Sequence, residues 1–214
     1  MSGTDGWRDV ALEPRNEPLV DVGPVGLLQD PRYFAMGLPG AVASCSVREG
    51  VADALAKADA SLPNGMRLLI WDGFRSLETQ AALYNGYVDE LLVIHPDWPV
   101  WELEEQAARY VTPPSPSRVA PPPHLTGGAV DLTLVDSDGQ PLDLGTHFDA
   151  FVPEAGALAL ESTDSPARAN RRILYWAMAQ AGFTGYVEEW WHFDLGNQFW
   201  GLATGNTAHY GPAA

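Results

Sequence analysis

Apolar and polar residues follow one another along this chain in patterns that predict both helices and strands. The first 40 or so residues are rich in Pro and Gly and show no sustained period. After them, Ser46-Val47-Arg48-Glu49 has the form of a capping box and predicts a helix to about Ala60. Met66 to Trp71 is a short apolar run typical of a buried strand. Ser76 can cap a long amphipathic helix whose apolar positions, from Leu77 to Leu92, recur at the helical period.

The second half of the chain predicts further elements of both kinds. Helices are expected from Val100 to Tyr110 and from the cap at Ser165-Pro166 to Gly182. Strands are expected at 129–135, at 183–195 (one strand, or two with a bend) and, as an edge strand, at 199–210. Six prolines between Thr112 and Pro123 forbid a helix there and predict an extended loop.

Helices and strands are mixed without regular alternation, which predicts an α+β fold with a mostly antiparallel sheet flanked by helices. A chain of 214 residues suits a single domain over 1–214, with residues 1–40 as an extended N-terminal wrap. Two small lobes are the alternative. We interpret the Pro-rich segment as a loop that delivers His124 to a site at the sheet, and not as a linker between domains.

Charge and cysteine content narrow the class of protein. The formal charge is -16, with 28 acidic and 12 basic residues, so the surface should repel nucleic acid and anionic membranes. Cys45 is the only cysteine, which excludes an internal disulfide. The opening residues lack the basic and apolar regions of a secretory signal, and no apolar run has the length of a membrane span. We therefore expect a cytoplasmic protein, although a processed mature form would look the same.

Two of the five histidines have unusual neighbours in the sequence. His124 follows three prolines, and Asp131 comes seven residues later among the apolar residues of a predicted core strand, where a carboxylate is costly unless it is paired or bound to a metal. His192 ends a run in which acidic residues are embedded among aromatic ones. Taken singly, such an Asp is more often a cap or an ion-pair partner, and such a His a hydrogen-bonded residue. Two His and one Asp could nevertheless supply three ligands of a catalytic zinc site.

The sequence around Glu189 also indicates a functional residue. Its neighbours Trp190 and Trp191 should desolvate it partly and raise its pKa toward the range of a general base. Strict alternation along a strand would instead put Glu188 on the face of His192, so that Glu189 needs a bend or bulge to reach the same site. Spacing alone leaves both arrangements open.

Five blocks of the chain, in order, resemble one known family. His124-x-x-Gly127-x-Ala129-x-Asp131 together with Glu189-Trp190-Trp191-His192 is similar to the two-part signature of the D-Ala-D-Ala dipeptidase family. This is the vancomycin-resistance-type branch of the zinc D,D-peptidases, which are related to D-Ala-D-Ala carboxypeptidases. Three further blocks resemble the family: Trp71-Asp72-Gly73-Phe74-Arg75-Ser76, Gly145-Thr146-His147-Phe148-Asp149 and Asn170-Arg171-Arg172. The likeness spans roughly residues 66 to 195.

The resemblance implies roles for six residues. By it, His124, Asp131 and His192 bind one zinc ion (Zn2+) per chain. Glu189 is the base that takes a proton from the attacking water and passes it to the departing amine, and Arg75 stabilises the negative charge on the carbonyl oxygen. Asp149 binds the free ammonium of a small peptide substrate. The simpler alternatives are an ion pair with Asp72 for Arg75, and a loop cap for Asp149.

The chain departs from the family at Pro122, where the family usually has a Ser two residues before the first zinc His. The change removes a possible hydrogen bond to the substrate and leaves the metal ligands in place. The resemblance therefore supports hydrolysis of D-Ala-D-Ala or a similar dipeptide. A peptidoglycan stem peptide, another amino-acid amide or a non-catalytic zinc-stabilised binding domain are the alternatives. The sequence does not give the oligomeric state.

The predicted helix from Ser165 to Gly182 carries three arginines that could form a site for a substrate carboxylate: Arg168, Arg171 and Arg172. For at least two of them we expect solvated ion pairs instead.

Overall fold

A five-stranded sheet runs through the protein in the computed structural model, which describes residues 6–213. Its strands follow the order β2-β4-β5-β7-β6, in which only the β2–β4 pair is parallel among the described residues. A second, two-stranded antiparallel sheet pairs β1 with β3. The predicted α+β fold with a mostly antiparallel sheet and flanking helices is confirmed.

The elements have the following bounds. The strands are β1 (Leu19–Asp21), β2 (Leu28–Gln29), β3 (Ser46–Arg48), β4 (Arg67–Asp72), β5 (Ala129–Val135), β6 (Thr184–Gly185) and β7 (His192–Asp194). The α-helices are α1 (Arg32–Ala35), α2 (Glu49–Ala60), α3 (Leu77–Ile94), α4 (Val100–Ala107), α5 (Pro166–Gln180) and α6 (Gln198–Thr204). Single 3-10 turns are formed by Trp7–Asp9, Pro123–Thr126 and Pro153–Ala155.

The central strand β5 is buried along its whole length. Its residues Val130, Leu132 and Leu134 belong to the main hydrophobic core, together with apolar side chains of α2 and α5. Because successive residues of a strand face opposite sides of a sheet, Asp131 lies on the face opposite Leu132. Burial of large apolar side chains, each contributing about 1.5–3 kcal/mol, thus fixes the strand on which Asp131 stands.

Several predicted elements are confirmed, including their capping residues. Strand β5 has the predicted bounds. The Ser76 side chain accepts a hydrogen bond from the Thr79 amide at the start of α3, and the Ser165 side chain accepts one from the Arg168 amide at the start of α5. The segment 183–195 forms the two short strands β6 and β7 with a bend between them. Helix α4 ends at Ala107, three residues before the predicted end.

Two predictions of secondary structure are wrong. The predicted capping box is wrong, because its first three residues form strand β3 by pairing with Leu19–Asp21. The predicted helix is present and ends at Ala60, but it begins at Glu49 with no side-chain cap. The predicted edge strand at 199–210 is mainly helix α6. Asn197 caps α6 and Gly205 ends it in a left-handed conformation, and these are ordinary helix boundaries.

The chain segment before β1 lies against the C-terminal segment. The amides of Glu13 and Arg15 donate to the carbonyl oxygens of Ala208 and His209 over 2.9 and 2.8 Å. The buried Arg48 guanidinium donates to the carbonyls of Glu17, Thr126 and Gly211. It thereby joins both ends of the chain to the turn that carries His124. Within residues 6–213, no helix combines the length and the apolar character that a membrane crossing requires.

Candidate active site

Three buried side chains from distant parts of the chain meet at one end of the sheet. Asp131 lies near the start of β5, His192 begins the neighbouring strand β7 opposite it, and His124 stands on the turn Pro123–Thr126. His124 Nε2 and His192 Nδ1 are 3.2 Å apart. The Asp131 carboxylate oxygens lie 3.0 Å from His192 Nδ1 and 3.4 Å from His124 Nε2.

The outward-facing nitrogen of each imidazole is engaged by an acceptor. His124 Nδ1 lies 2.8 Å from the Gly73 carbonyl oxygen. His192 Nε2 lies 3.1 Å from a carboxylate oxygen of Asp194, which is itself buried, and Asn197 donates to the other oxygen of Asp194 over 2.6 Å. A neutral imidazole that donates through one nitrogen presents a lone pair at the other. In the neutral form that metal binding requires, His124 Nε2 and His192 Nδ1 would therefore direct their lone pairs to the same point as the Asp131 carboxylate.

This donor set fits zinc. Two neutral imidazole nitrogens and a carboxylate are a common three-residue ligand set for a catalytic zinc ion. The carboxylate–histidine pair of Asp194 and His192 is the usual way in which a ligating imidazole is held in orientation. Burial opposes the charge of both Asp131 and His192. It is outweighed at Asp131 by His124 and then His192, and at His192 by Asp194 and then Asp131. The pKa of Asp131 is lowered and that of His192, which also faces Asp194, is raised well above its usual value.

Close backbone packing holds the His124 turn against the end of β4. A Cβ on Gly73 would lie 2.4 Å from the Ser46 carbonyl oxygen, so only glycine allows this approach. The Arg75 amide donates to the His124 carbonyl over 3.2 Å. Gly127 ends the turn at a φ of 69°, in the left-handed region that favours glycine. The Pro-rich loop thus delivers His124 to the sheet, as the sequence predicted.

Glu189 reaches the same place from the loop between β6 and β7. Its carboxylate lies 4.0 Å from His192 Nδ1, and the residue is buried. The loop is not a strand, so the alternation that would have favoured Glu188 does not apply. Burial raises the pKa of Glu189 well above its usual value, Asp131 and Asp149 raise it further, and His192 opposes the shift. The segment is anchored by Trp190, whose indole donates to the Thr146 hydroxyl over 2.8 Å.

Arg75 forms the expected ion pair with Asp72, at 2.8 Å, and also faces the metal-ligand cluster, 3.2 Å from Asp131. Its guanidinium also donates to the Tyr33 hydroxyl and to Gln80. Burial opposes the charge, but Tyr33, Asp72 and Asp131 outweigh it and raise the pKa of Arg75. An ion pair with Asp72 and a role in stabilising charge on the carbonyl oxygen are therefore compatible, because Asp72 holds the Arg75 cation in place beside the cluster.

Asp149 contacts the Tyr33 hydroxyl, to which Arg75 also donates a hydrogen bond. It accepts a hydrogen bond from the Tyr33 hydroxyl over 3.3 Å and adopts a φ of 56°, unusual for a residue other than glycine. Burial raises its pKa to about 7, helped by the charge of Asp131. The preceding Phe148 packs on Trp71 with ring centroids 4.8 Å apart, which holds the loop in place. Strained backbone that neighbours hold in place is common at binding sites.

These side chains line one narrow pocket. It is bounded by Tyr33, Arg75, Gln80, Tyr110, Thr112, His124, Asp131, Asp149, Tyr186, Glu189, His192 and Phe199, among others. Every predicted site residue is thus in or beside a single cleft. Sequence reasoning did not single out Tyr33, Gln80 or Asp194. Only Asp194 had a usable signal, because it stands two residues after His192 and so on the same face of a strand.

The arginines of α5 do not form a carboxylate site. Arg168 pairs with Asp164 at 2.8 Å and Arg172 pairs with Glu161, which confirms the expected ion pairs. Arg171 is buried and donates to the carbonyls of Leu144, Gly156 and Glu154. All three guanidinium groups are already engaged, and the structural task of Arg171 is to tie α5 to the loop that follows Leu144.

Comparison with known proteins shows the family of this chain. A family model described as D-ala-D-ala dipeptidase matches residues 38–209. The D-alanyl-D-alanine dipeptidase of Escherichia coli strain K12 is 32% identical over 154 residues, covering 72% of this chain and 68% of that protein. The D-alanyl-D-alanine dipeptidase of Enterococcus faecium is 30% identical over 150 residues, covering 68% and 70%.

Among solved structures, the vancomycin-resistance D,D-dipeptidase VanXYg, in complex with a D-Ala-D-Ala phosphinate analog, is 22% identical with a TM-score of 0.44, covering 96% of this chain and 71% of that chain. The family match includes all six site residues predicted from the sequence, from Arg75 to His192. The chain therefore belongs to the D-Ala-D-Ala dipeptidase family, a family of zinc metallopeptidases.

Proposed function

We propose that this protein hydrolyses the peptide bond of a small unblocked dipeptide, D-Ala-D-Ala or a close analogue, with one zinc ion per chain. The observation that carries the proposal is the convergence of His124, Asp131 and His192 in a pocket that also contains Glu189, Arg75 and Asp149. The D-alanyl-D-alanine dipeptidases of Escherichia coli and Enterococcus faecium, which are 32% and 30% identical to the chain, support the choice of substrate.

In this proposal His124, Asp131 and His192 hold the metal. Zinc bound there supplies a Lewis acid and lowers the pKa of a water to about 7, so that hydroxide is available at neutral pH. The hydrogen bonds from His124 to Gly73 and from His192 to Asp194 fix both imidazole rings before the metal arrives. The chain therefore presents a preorganised set of ligands.

Glu189 is the proton carrier. Its carboxylate accepts a proton from the water as the water attacks the scissile carbonyl carbon. It then gives that proton to the amine as the carbon–nitrogen bond breaks. A carboxylate of ordinary acidity would be a poor donor to the amine at neutral pH. The burial that raises the pKa of Glu189 suits it to both steps.

Arg75 stabilises the charge that develops on the carbonyl oxygen. Its guanidinium is buried, permanently charged and held by Asp72, so it need not reorganise during the reaction. Asp149 binds the substrate ammonium, assisted by the Tyr33 hydroxyl. A buried carboxylate facing an ammonium rejects substrates that lack this charge, since it would be left unpaired. This pairing favours a peptide whose free N-terminus lies next to the scissile bond.

The test is amine release from a panel of D,D-, L,L- and mixed dipeptides, each in free and N-acetylated form, with zinc-loaded protein and after chelation. We expect chelator-sensitive cleavage of free D-Ala-D-Ala and at least tenfold weaker cleavage of its N-acetylated form. Equal cleavage of the two forms would contradict the role of Asp149. Turnover that persists after verified zinc removal would contradict the mechanism, and zinc binding without hydrolysis of any peptide would favour a non-catalytic domain. The single-domain organisation over residues 1–214 and the cytoplasmic location stay predictions.

A further inference from the structure

A second cavity adjoins the candidate active site. It has a free volume of about 200 Å³ and shares four lining residues with the metal pocket: Tyr110, Thr112, Tyr186 and Phe199. Its other walls carry Arg8 and Arg109. The two cavities thus have a common aromatic wall, and the second cavity is the more basic one.

The two arginines have no acidic partner within residues 6–213. Arg8 is held in place by stacking on Trp7, with its guanidinium carbon 4.5 Å from the ring centroid. Trp7 is buried and packs edge-on against Phe199 at 5.1 Å, so Arg8 is fixed beside the shared wall.

The direction in which a dipeptide must lie points toward this cavity. Asp149 and Tyr33, which would hold the ammonium, lie on the Arg75 side of the metal ligands. Tyr186 and Phe199 lie on the His192 side, with ring centroids 5.8 and 6.4 Å from the imidazole. A dipeptide with its ammonium at Asp149 and its scissile carbonyl at Arg75 therefore extends its leaving residue toward the shared wall.

The leaving residue of a dipeptide carries a carboxylate, and that group needs a cation. In the described part of the chain, the surroundings of the metal ligands hold the carboxyl groups of Asp72, Asp149, Glu189 and Asp194 and offer no free cation, since Arg75 is engaged by Asp72 and Asp131. Pro122 offers no hydrogen-bond donor, and the arginines of α5 are engaged elsewhere. Within residues 6–213, Arg8 and Arg109 are the unpaired guanidinium groups on this side of the pocket.

We propose that the basic cavity formed by Arg8 and Arg109 binds the carboxylate of the leaving residue and so selects dipeptides with a free C-terminus. This inference rests on the proposed function. It assigns a role in specificity to Arg8, which lies outside the family-matched residues 38–209. Both arginines are exposed to solvent, so they act as screened charges at the rim, strengthening substrate binding without taking part in bond cleavage.

The test uses two substrates and matched variants of the full, zinc-loaded chain. D-Ala-D-Ala is compared with D-alanyl-D-alaninamide, which keeps the ammonium and the scissile bond but replaces the carboxylate with a neutral amide. The variants are the double substitution Arg8→Gln/Arg109→Gln and the control Arg118→Gln. Arg118 is also exposed, and it lines neither cavity.

We expect the double variant to raise KM for D-Ala-D-Ala about tenfold with kcat little changed, because two screened charge interactions together are of that order. KM for the amide should stay constant, and Arg118→Gln should change neither value. The preference of the wild-type protein for the carboxylate should shrink when the ionic strength rises from about 0.1 M to about 1 M. The Arg8→Lys/Arg109→Lys variant should retain most of the preference for D-Ala-D-Ala over its amide.

Equal effects of the double variant on both substrates would overturn the proposal, as would equal KM values of the wild-type protein for the two. Calorimetric titration of the Glu189→Gln protein with both dipeptides separates this result from a failure of the proposed function. Equal affinities in that titration overturn the carboxylate site whether or not the wild-type enzyme turns over. Tighter binding of D-Ala-D-Ala that is lost on adding the Arg8→Gln/Arg109→Gln substitutions supports the site, even if no dipeptide is cleaved.

Discussion

Replacing Asp149 with Asn should stabilise the metal-free protein against unfolding at neutral pH. The same substitution should impair the activity of the zinc-loaded protein. Asp149 is buried, and its pKa rises from an ordinary value of 3.8 to about 7 in the folded chain. Asn has the same shape as the protonated acid, carries no charge and tolerates the left-handed backbone found here, at a φ of 56°. The substitution therefore removes the cost of burying a carboxylate with little change in packing.

The pH dependence follows from the direction of this shift. Between about pH 4 and pH 7 the folded chain holds a proton on Asp149 that the unfolded chain has released, so its contribution to stability falls as pH rises. The upward shift of the pKa from 3.8 to about 7 corresponds to a loss on the order of 4 kcal/mol once the pH exceeds 7. Asp149→Asn should therefore be near neutral at pH 4 and below, more stabilising at pH 5, and most stabilising near pH 8.

Urea unfolding in the presence of a chelator, at pH 5 and at pH 8, measures the difference between wild type and variant. The exposed Asp97 provides the control substitution Asp97→Asn, for which the difference should be small at both pH values. A wild-type-to-variant difference that is the same at pH 5 and pH 8 would refute the reasoning. In the zinc-loaded enzyme, the same variant should lose kcat/KM for free dipeptides and keep it for N-acetylated ones.

Three further predictions concern the metal site. Glu189→Gln should lower kcat by at least about 10²–10⁴-fold while metal analysis still finds one zinc per chain, because the substitution removes the proton carrier and no ligand; loss of the zinc itself would contradict this assignment. Asp194→Ala should weaken zinc binding about 10–100-fold in chelator competition, since His192 loses the carboxylate that orients it; an unchanged affinity would show that the strand alone positions the ring. Gly73→Ala should lower both the melting temperature and the zinc affinity, because its Cβ would lie 2.4 Å from the Ser46 carbonyl oxygen and displace the carbonyl bonded to His124. The control Gly86→Ala, in helix α3 with no atom within 4 Å of the added Cβ, should be neutral or stabilising by up to about 1 kcal/mol.

Local patterns in the sequence were sufficient for the elements that depend on local forces. The apolar run at 129–135 identified β5, and the caps at Ser76 and Ser165 marked the beginnings of α3 and α5. Capping and burial period are properties of neighbouring residues, so no long-range contact is needed to read them. The candidate metal ligands were predicted from the resemblance of five short blocks, because an isolated His or Asp has many structural uses.

Long-range pairing decided what local patterns could not. Ser46–Arg48 has the spacing of a capping box and yet forms a strand, because Leu19–Asp21 offers it a partner. The position of Glu189 depended on whether the chain stays extended before His192, and the loop between β6 and β7 resolves that question. Tyr33 and Arg8 lie in the Pro- and Gly-rich opening of the chain, where no period marks them.

Only the tertiary structure brings Tyr33 to Asp149, and Arg8 to the cavity beside the metal pocket. The physical reason is that the free energy of a buried charge depends on which other charges lie near it in space, and not on its position in the sequence. The sequence by itself predicted which residues carry the chemistry. Packing of the two chain ends around the sheet determined which charges those residues face.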